Sequence, residues 1–127
     1  MKPRYCEVPH NPPHSYGDCI RACIATMIDR DDVPHTFDDA NNEEGWRSLR
    51  SYLKSQGKNI ALFAIDDDPH EHMRDNNPSI PYMLMGSGSR KVNHAVVCCD
   101  GKIIHNPSYI AMTDPLIEGF YIICVIV

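Results

Sequence analysis

The sequence predicts an α+β domain, with an N-terminal helix that bears a cysteine packed on a mostly antiparallel β-sheet. Three observations carry this expectation. Residues 19–28 repeat apolar side chains at helical spacing, and residues 94–105 read as two strands around an Asp-Gly turn. The strand-like segments also follow the helices instead of alternating with them, which is the order of an α+β plan. At 127 residues the chain fits one domain spanning 1–127, long enough to bury about two-thirds of its unfolded surface.

The opening stretch, 1–17, holds four of the ten prolines. Proline fixes φ and removes a backbone donor, so an extended, irregular arm is expected there. Gly17-Asp18 then gives way to Cys19-Ile20-Arg21-Ala22-Cys23-Ile24-Ala25-Thr26-Met27-Ile28. Apolar residues at 20, 23, 24, 27 and 28 form one helical face, and Asp18 stands where an N-cap belongs. A second helix is expected from about Glu43 to Ser55, with Trp46, Leu49 and Leu53 inward and Gly57 beyond its end. Ile60–Ile65 reads as a strand, 66–78 as a polar loop, and Pro81–Met85 as a short strand. Gly86-Ser87-Gly88-Ser89-Arg90-Lys91 reads as a flexible loop at a cleft edge. His94–Cys99 and Lys102–His105 flank Asp100-Gly101, a hairpin signal, and Phe120–Val127 completes the sheet.

Composition narrows the function. With 43% hydrophobic and 23% charged residues the chain is an ordinary globule, and a net charge of −5 argues against a nucleic-acid binder. The longest apolar run, Phe120–Val127, is far below the roughly 20 residues that span a bilayer. No apolar run of signal-peptide length follows the basic start. A cytoplasmic location is therefore expected, with no membrane partner and with the six cysteines kept as reduced thiols.

Among those cysteines Cys19 stands apart. A helix N-terminus lies at the positive end of the helix dipole, which favours thiolate, the nucleophilic form. The competing reading is a cysteine simply buried at a helix start. A nucleophile needs a base, and the base needs an orienting group. His94 opens a strand at the edge of the Gly/Ser-rich loop, although taken alone it also reads as a solvent-facing strand residue. Across the hairpin lie His105 and Asn106. A two-residue turn with regular pairing sets 96 against 105 and puts His105 on the face of His94. A bulge or three-residue loop sets 96 against 106 and puts Asn106 there instead. The sequence leaves both registers open.

Gly17-Asp18-Cys19-Ile20-Arg21-Ala22-Cys23, Asn93-His94-Ala95-Val96-Val97, Asp100-Gly101-Lys102 and His105-Asn106-Pro107-Ser108 together resemble the papain-like thiol peptidases. The likeness is strongest to compact bacterial and phage proteins similar to the leader peptidases of bacteriocin exporters. The chain order of Cys, His and Asn/Asp is the same, and the similarity extends over most of the sequence. It implies a papain-like fold, with Cys19 as nucleophile, His94 as general base and acid, and Asn106 as orienter of the imidazole, His105 being the alternative orienter. It implies a Cys19–His94 ion pair formed before substrate arrives, a peptide or protein substrate, and no cofactor. Asn106 stands where those compact relatives more often carry Asp. Papain-like enzymes also place a Gln several residues before the Cys to stabilise the oxyanion. None stands here, and His14 or Asn11 is the candidate donor beside the Cys19 N–H.

The expected chemistry is cleavage of a peptide, isopeptide or other amide bond through an acyl-enzyme. Deamidation or acyl transfer would use the same cysteine. An inert papain-like scaffold used for binding or inhibition is a rival reading, motivated by the missing Gln. A zinc site drawing on Cys19, Cys23, His94 and Cys98 or Cys99 is a second rival, although neither cysteine pair has the CxxC spacing of a zinc knuckle. Cys23 and Cys124 read as core, Cys98 and Cys99 as strand residues on opposite faces, and Cys6 has no evident role. The acidic and histidine-rich stretch 66–72 reads as a solvated loop.

Overall fold

A computed structural model describes residues 1–9, 14–39, 41–65, 67–88, 93–108 and 116–127. The elements run α1 (Cys19–Ile28), α2 (Asn42–Ser55), β1 (Ile60–Ile65), α3 (Pro69–Asn76), β2 (Tyr82–Gly88), β3 (Asn93–Cys99), β4 (Lys102–His105) and β5 (Leu116–Ile126). The strands form one antiparallel sheet in the order β1-β5-β2-β3-β4. The chain is thus α+β, with its N-terminal helix packed against β3 and β2.

Alternation along the strands gives the sheet two apolar faces. Ile60, Met83, Ala95, Val97 and Cys124 face α1 and α2, where Cys23, Ile24, Leu49 and Leu53 complete one core. Tyr82, Leu84, Val96, Cys98 and Ile123 face the other way and gather around Met73 of α3. The final strand does more than complete the sheet. It begins at Leu116, earlier than expected, and lies between β1 and β2. The continuous run Ile122-Ile123-Cys124-Val125-Ile126 suits that position, since a central strand covered on both faces needs apolar residues on both.

The helices end as their residues dictate. Asp29 terminates α1 in the left-handed region, at φ 60°, and its N–H returns to the Ala25 carbonyl. Asn41 caps α2 by accepting from the Glu44 N–H at 3.1 Å, one residue earlier than the sequence signal. Gly45 lies within α2 against the Phe37 ring, and a Cβ there would overlap that ring. The expectation of a polar loop over 66–78 is corrected: 69–76 is helical. Asp68 accepts from the His70 N–H at 3.0 Å, and Pro69 occupies the first turn, where its missing N–H costs nothing. Only Pro69 and Met73 of α3 are buried, so the helix lacks the apolar stripe that would have announced it. Of the expected 86–91 loop, 86–88 belong to β2 and 89–91 lie outside the described residues.

No helix among the described residues is long and apolar enough to cross a membrane.

Candidate active site

Cys19 is the first residue of α1, and the first helical bond runs from the Ala22 N–H to the Asp18 carbonyl at 3.0 Å. The N–H groups of residues 19–21 therefore lie outside the ladder and are free to point elsewhere. Those of Cys19 and Ile20 face the Cys19 sulfur, and the Ala95 N–H from β3 joins them. The sulfur thus sits beside the opening of β3, one residue from His94. The turn ahead of the helix is anchored by His35, whose Nε2 donates to the Tyr16 carbonyl at 2.9 Å.

His94 is 4% exposed and lies opposite Gly86 of β2. Its Nε2 is 2.9 Å from Asn106 Oδ1. The two registers left open by the sequence are resolved by one irregularity. Cys99 pairs with Lys102 and Cys98 with Ile103, as an Asp100-Gly101 two-residue turn requires, but a bulge follows and Val97 pairs with His105. Asp100 and Gly101 have φ 52° and 78°, the double left-handed geometry of a type I′ turn. Past the bulge, position 96 stands against 106, so Asn106 shares the face of His94.

The Ser108 N–H donates to the same Asn106 oxygen at 3.1 Å. Two donors on one atom identify it as the amide oxygen, so Nε2 of His94 must carry its proton. The other ring nitrogen then presents a lone pair, as a general base requires.

His105, the alternative orienter, is directed elsewhere. It pairs with Val97, and its Nε2 donates to the Arg4 carbonyl at 2.5 Å. Its ring meets Tyr5 edge-on at 4.9 Å. Of the two oxyanion candidates, His14 is exposed and Asn11 lies outside the described residues.

One expectation needs correction. Asp18 occupies the N-cap position, but its side chain makes no capping bond. Its carboxylate, 1% exposed, instead accepts from Glu7 N–H at 3.0 and 3.1 Å, from Val8 N–H at 3.0 Å and from Arg21 Nε at 2.7 Å. Burial alone would raise its pKa, yet the N–H donors and the Arg21 guanidinium together hold it below the usual carboxylate range. Burial pushes the Cys19 thiol up, and the Asp18 charge adds to this, outweighing the three N–H groups aimed at the sulfur.

The N-terminal arm is part of this arrangement. Arg4 N–H donates to Thr26 Oγ1 at 2.9 Å, and Arg21 Nη2 donates to the Tyr5 carbonyl at 2.8 Å. Cys6 N–H donates to the Pro107 carbonyl at 2.9 Å. Residues 4–8 thus run between the start of α1 and the 105–107 turn, tying the helix that bears Cys19 to the turn that bears Asn106. The sequence reading missed Asp18, Arg21, Cys6 and Ser108 in these positions. Only the Asp18-x-x-Arg21 spacing, which sets the two side chains on one helical face, gave any signal.

All six cysteines are free. Cys23 and Cys98 fall in cores on opposite faces of the sheet, so the zinc grouping is not assembled. Among the described residues no three His, Cys, Asp or Glu side chains are placed to hold a metal ion. No family model, curated protein or solved structure matches the chain.

Proposed function

We propose that the protein is a papain-like thiol hydrolase that cleaves a peptide, isopeptide or other amide bond through a Cys19-His94-Asn106 site. The observation that carries this reading is the 2.9 Å contact between His94 Nε2 and Asn106 Oδ1, made beside a helix-opening cysteine whose sulfur meets the next N–H of the same strand. Asn106 fixes the tautomer, and the remaining nitrogen of His94 is the base. As the Cys19 sulfur attacks the substrate carbonyl, its proton passes to His94, and the oxyanion that forms is met by the Cys19 N–H. Collapse expels the amine, which takes the proton from His94 and leaves an acyl-thioester on Cys19. Water, deprotonated by His94, then releases the acid. An acceptor amine in place of water would give acyl transfer, and a side-chain amide as substrate would give deamidation.

The test uses a panel of peptide amides together with a peptide carrying an electrophilic carbonyl as a covalent probe. We expect the probe to modify Cys19, and hydrolysis of any responsive amide to vanish in Cys19→Ala. Hydrolysis that persists in Cys19→Ala sinks the assignment.

The burial that raises the Cys19 thiol also favours a second reading, an inert scaffold that binds a peptide without cleaving it. Alkylation separates the two. A base-assisted cysteine reacts well below pH 8 in a manner that depends on His94, whereas an inert buried thiol reacts only as pH rises above the ordinary thiol range of about 8.5.

A further inference from the structure

Cys6 is a thiol within the candidate site that the proposed chemistry does not use. Its N–H is bonded to the Pro107 carbonyl at 2.9 Å, next to Asn106. The N–H groups of the two residues after it are bonded to the carboxylate of Asp18, next to Cys19. The Cys6 side chain is within electrostatic reach of both Cys19 and Asp18. Both Cys6 and Cys19 are partly open to solvent, whereas Cys23, Cys98 and Cys124 are buried.

We infer that Cys6 and Cys19 form an oxidisable pair: a hydroperoxide converts Cys19 to a sulfenic acid, and Cys6 closes it to a disulfide that reversibly removes the nucleophile. In the first step the Cys19 sulfur attacks the O–O bond of the hydroperoxide, an S–O bond forms, the O–O bond breaks, and the thiol proton leaves with the departing oxygen as water or alcohol. Sulfur gives up two electrons and the peroxide is reduced. In the second step the Cys6 sulfur attacks the Cys19 sulfur, the S–O bond breaks, and the hydroxide takes the Cys6 proton to leave as water. A dithiol reductant restores both thiols.

Cys23 is the other neighbour of Cys19, and helix geometry disfavours it as the partner. Cβ atoms one helical turn apart lie about 5–6 Å from each other, beyond the ~3.5–4.5 Å that a disulfide requires. Cys6 lies on the arm, outside any helix, whereas Cys23 cannot leave α1.

As regulation this inference rests on the hydrolase reading, whereas the thiol reaction does not, so the test is read by mass. The full chain is treated with hydrogen peroxide, remaining thiols are alkylated, and the protein is mapped by mass spectrometry. We expect two of the six thiols to be lost, with a two-hydrogen decrease in mass and a linked peptide pair containing Cys6 and Cys19, both reversed by dithiothreitol. In Cys6→Ser, with Cys6→Ala as a second variant and circular dichroism as the check on folding, Cys19 should instead gain oxygen atoms that dithiothreitol does not remove. In Cys19→Ser, Cys6 should remain alkylatable. Wild-type Cys19 that gains oxygen while Cys6 stays free, or that links to Cys23, overturns the inference. A chain that forms the Cys6–Cys19 link yet hydrolyses nothing retains it and loses only the hydrolase reading.

Discussion

The two ends of β3 carry the same kinds of residue in opposite settings. At its opening, His94 bonds to Asn106 at 2.9 Å beside the partly open Cys19. At its far end Cys98 lies opposite Tyr82 of β2, and Tyr82 Oη is 2.9 Å from His70 Nδ1. The second group is also a cysteine, a hydrogen-bonding partner and a histidine, but Tyr82 and Cys98 are 0% exposed. Burial pushes the Cys98 thiol up to about 12. No helix begins at Cys98, whereas three N–H groups are aimed at Cys19. The contrast shows that a Cys and a His in proximity do not define a site. Access for a substrate and donors directed at the sulfur distinguish the opening of β3 from a polar network that only ties α3 to the sheet.

The sharpest way to break this comparison is to remove each histidine in turn. His94→Ala should lower acylation of Cys19 by about 10²–10⁴-fold, the usual contribution of a positioned acid–base group. His70→Ala should leave the acylation rate unchanged. Rates with the electrophilic peptide probe measure both, and equal losses would erase the distinction between the two ends.

Next in size is Asp18. Removing one partner of a buried ion pair typically costs about 3–5 kcal/mol, so Asp18→Ala should show a loss of that order in urea unfolding. The arm should be released with it, seen as faster amide exchange at Glu7 and Val8. Acid sensitivity follows from the same group. The Asp18 carboxyl is held low in the folded chain, below the ~3.9 of an unfolded one. Its contribution is therefore full above the unfolded value and is lost as pH falls through the folded one. Asp18→Asn should lack that part of the acid-induced loss, and unfolding titrations between pH 6 and about 2 compare the two.

Tyr82→Phe is smaller. It deprives His70 of a partner, and an unsatisfied buried group costs about 1–3 kcal/mol. Stability should fall within that range, whereas the alkylation rate of Cys19 should not move.

Much of the fold was legible because it rests on local patterns. The apolar face of Ile20, Cys23, Ile24, Met27 and Ile28 marked α1, and Asp100-Gly101 marked the hairpin. The choice between His105 and Asn106 was not legible, because it depends on one bulge between Val97 and Cys98 that no local residue preference specifies. α3 escaped because it buries only Pro69 and Met73, although Asp68-Pro69 followed by Glu71 carried a start signal. The role of Asp18 was misread because the cap is a local arrangement, whereas its actual donors, Glu7 and Val8, come from an arm separated from it by three prolines. The electrostatic state of Cys19 was beyond sequence reasoning for a related reason. Helix position is local, but the burial that outweighs it is a property of the assembled core.

The smallest effect sharpens the comparison at a single atom. Asn106→Asp keeps an oxygen for the His94 N–H and for the Ser108 N–H, and it adds a charge beside the ring. A carboxylate in hydrogen-bond contact favours positive charge on the ring, and a ring that accepts a proton more readily draws one from Cys19. The thiolate should then appear at lower pH, with the alkylation profile displaced by about one unit, equivalent to ~1.4 kcal/mol. The rate of iodoacetamide reaction at Cys19 between pH 5 and about 10 measures this. The same substitution cannot act on Cys99, at the other end of the strand and partly open to solvent, so Cys99 alkylation serves as the internal reference. A profile that does not shift at Cys19 would mean that His94 and the sulfur do not share a proton, and the opening of β3 would then differ from its far end in exposure alone.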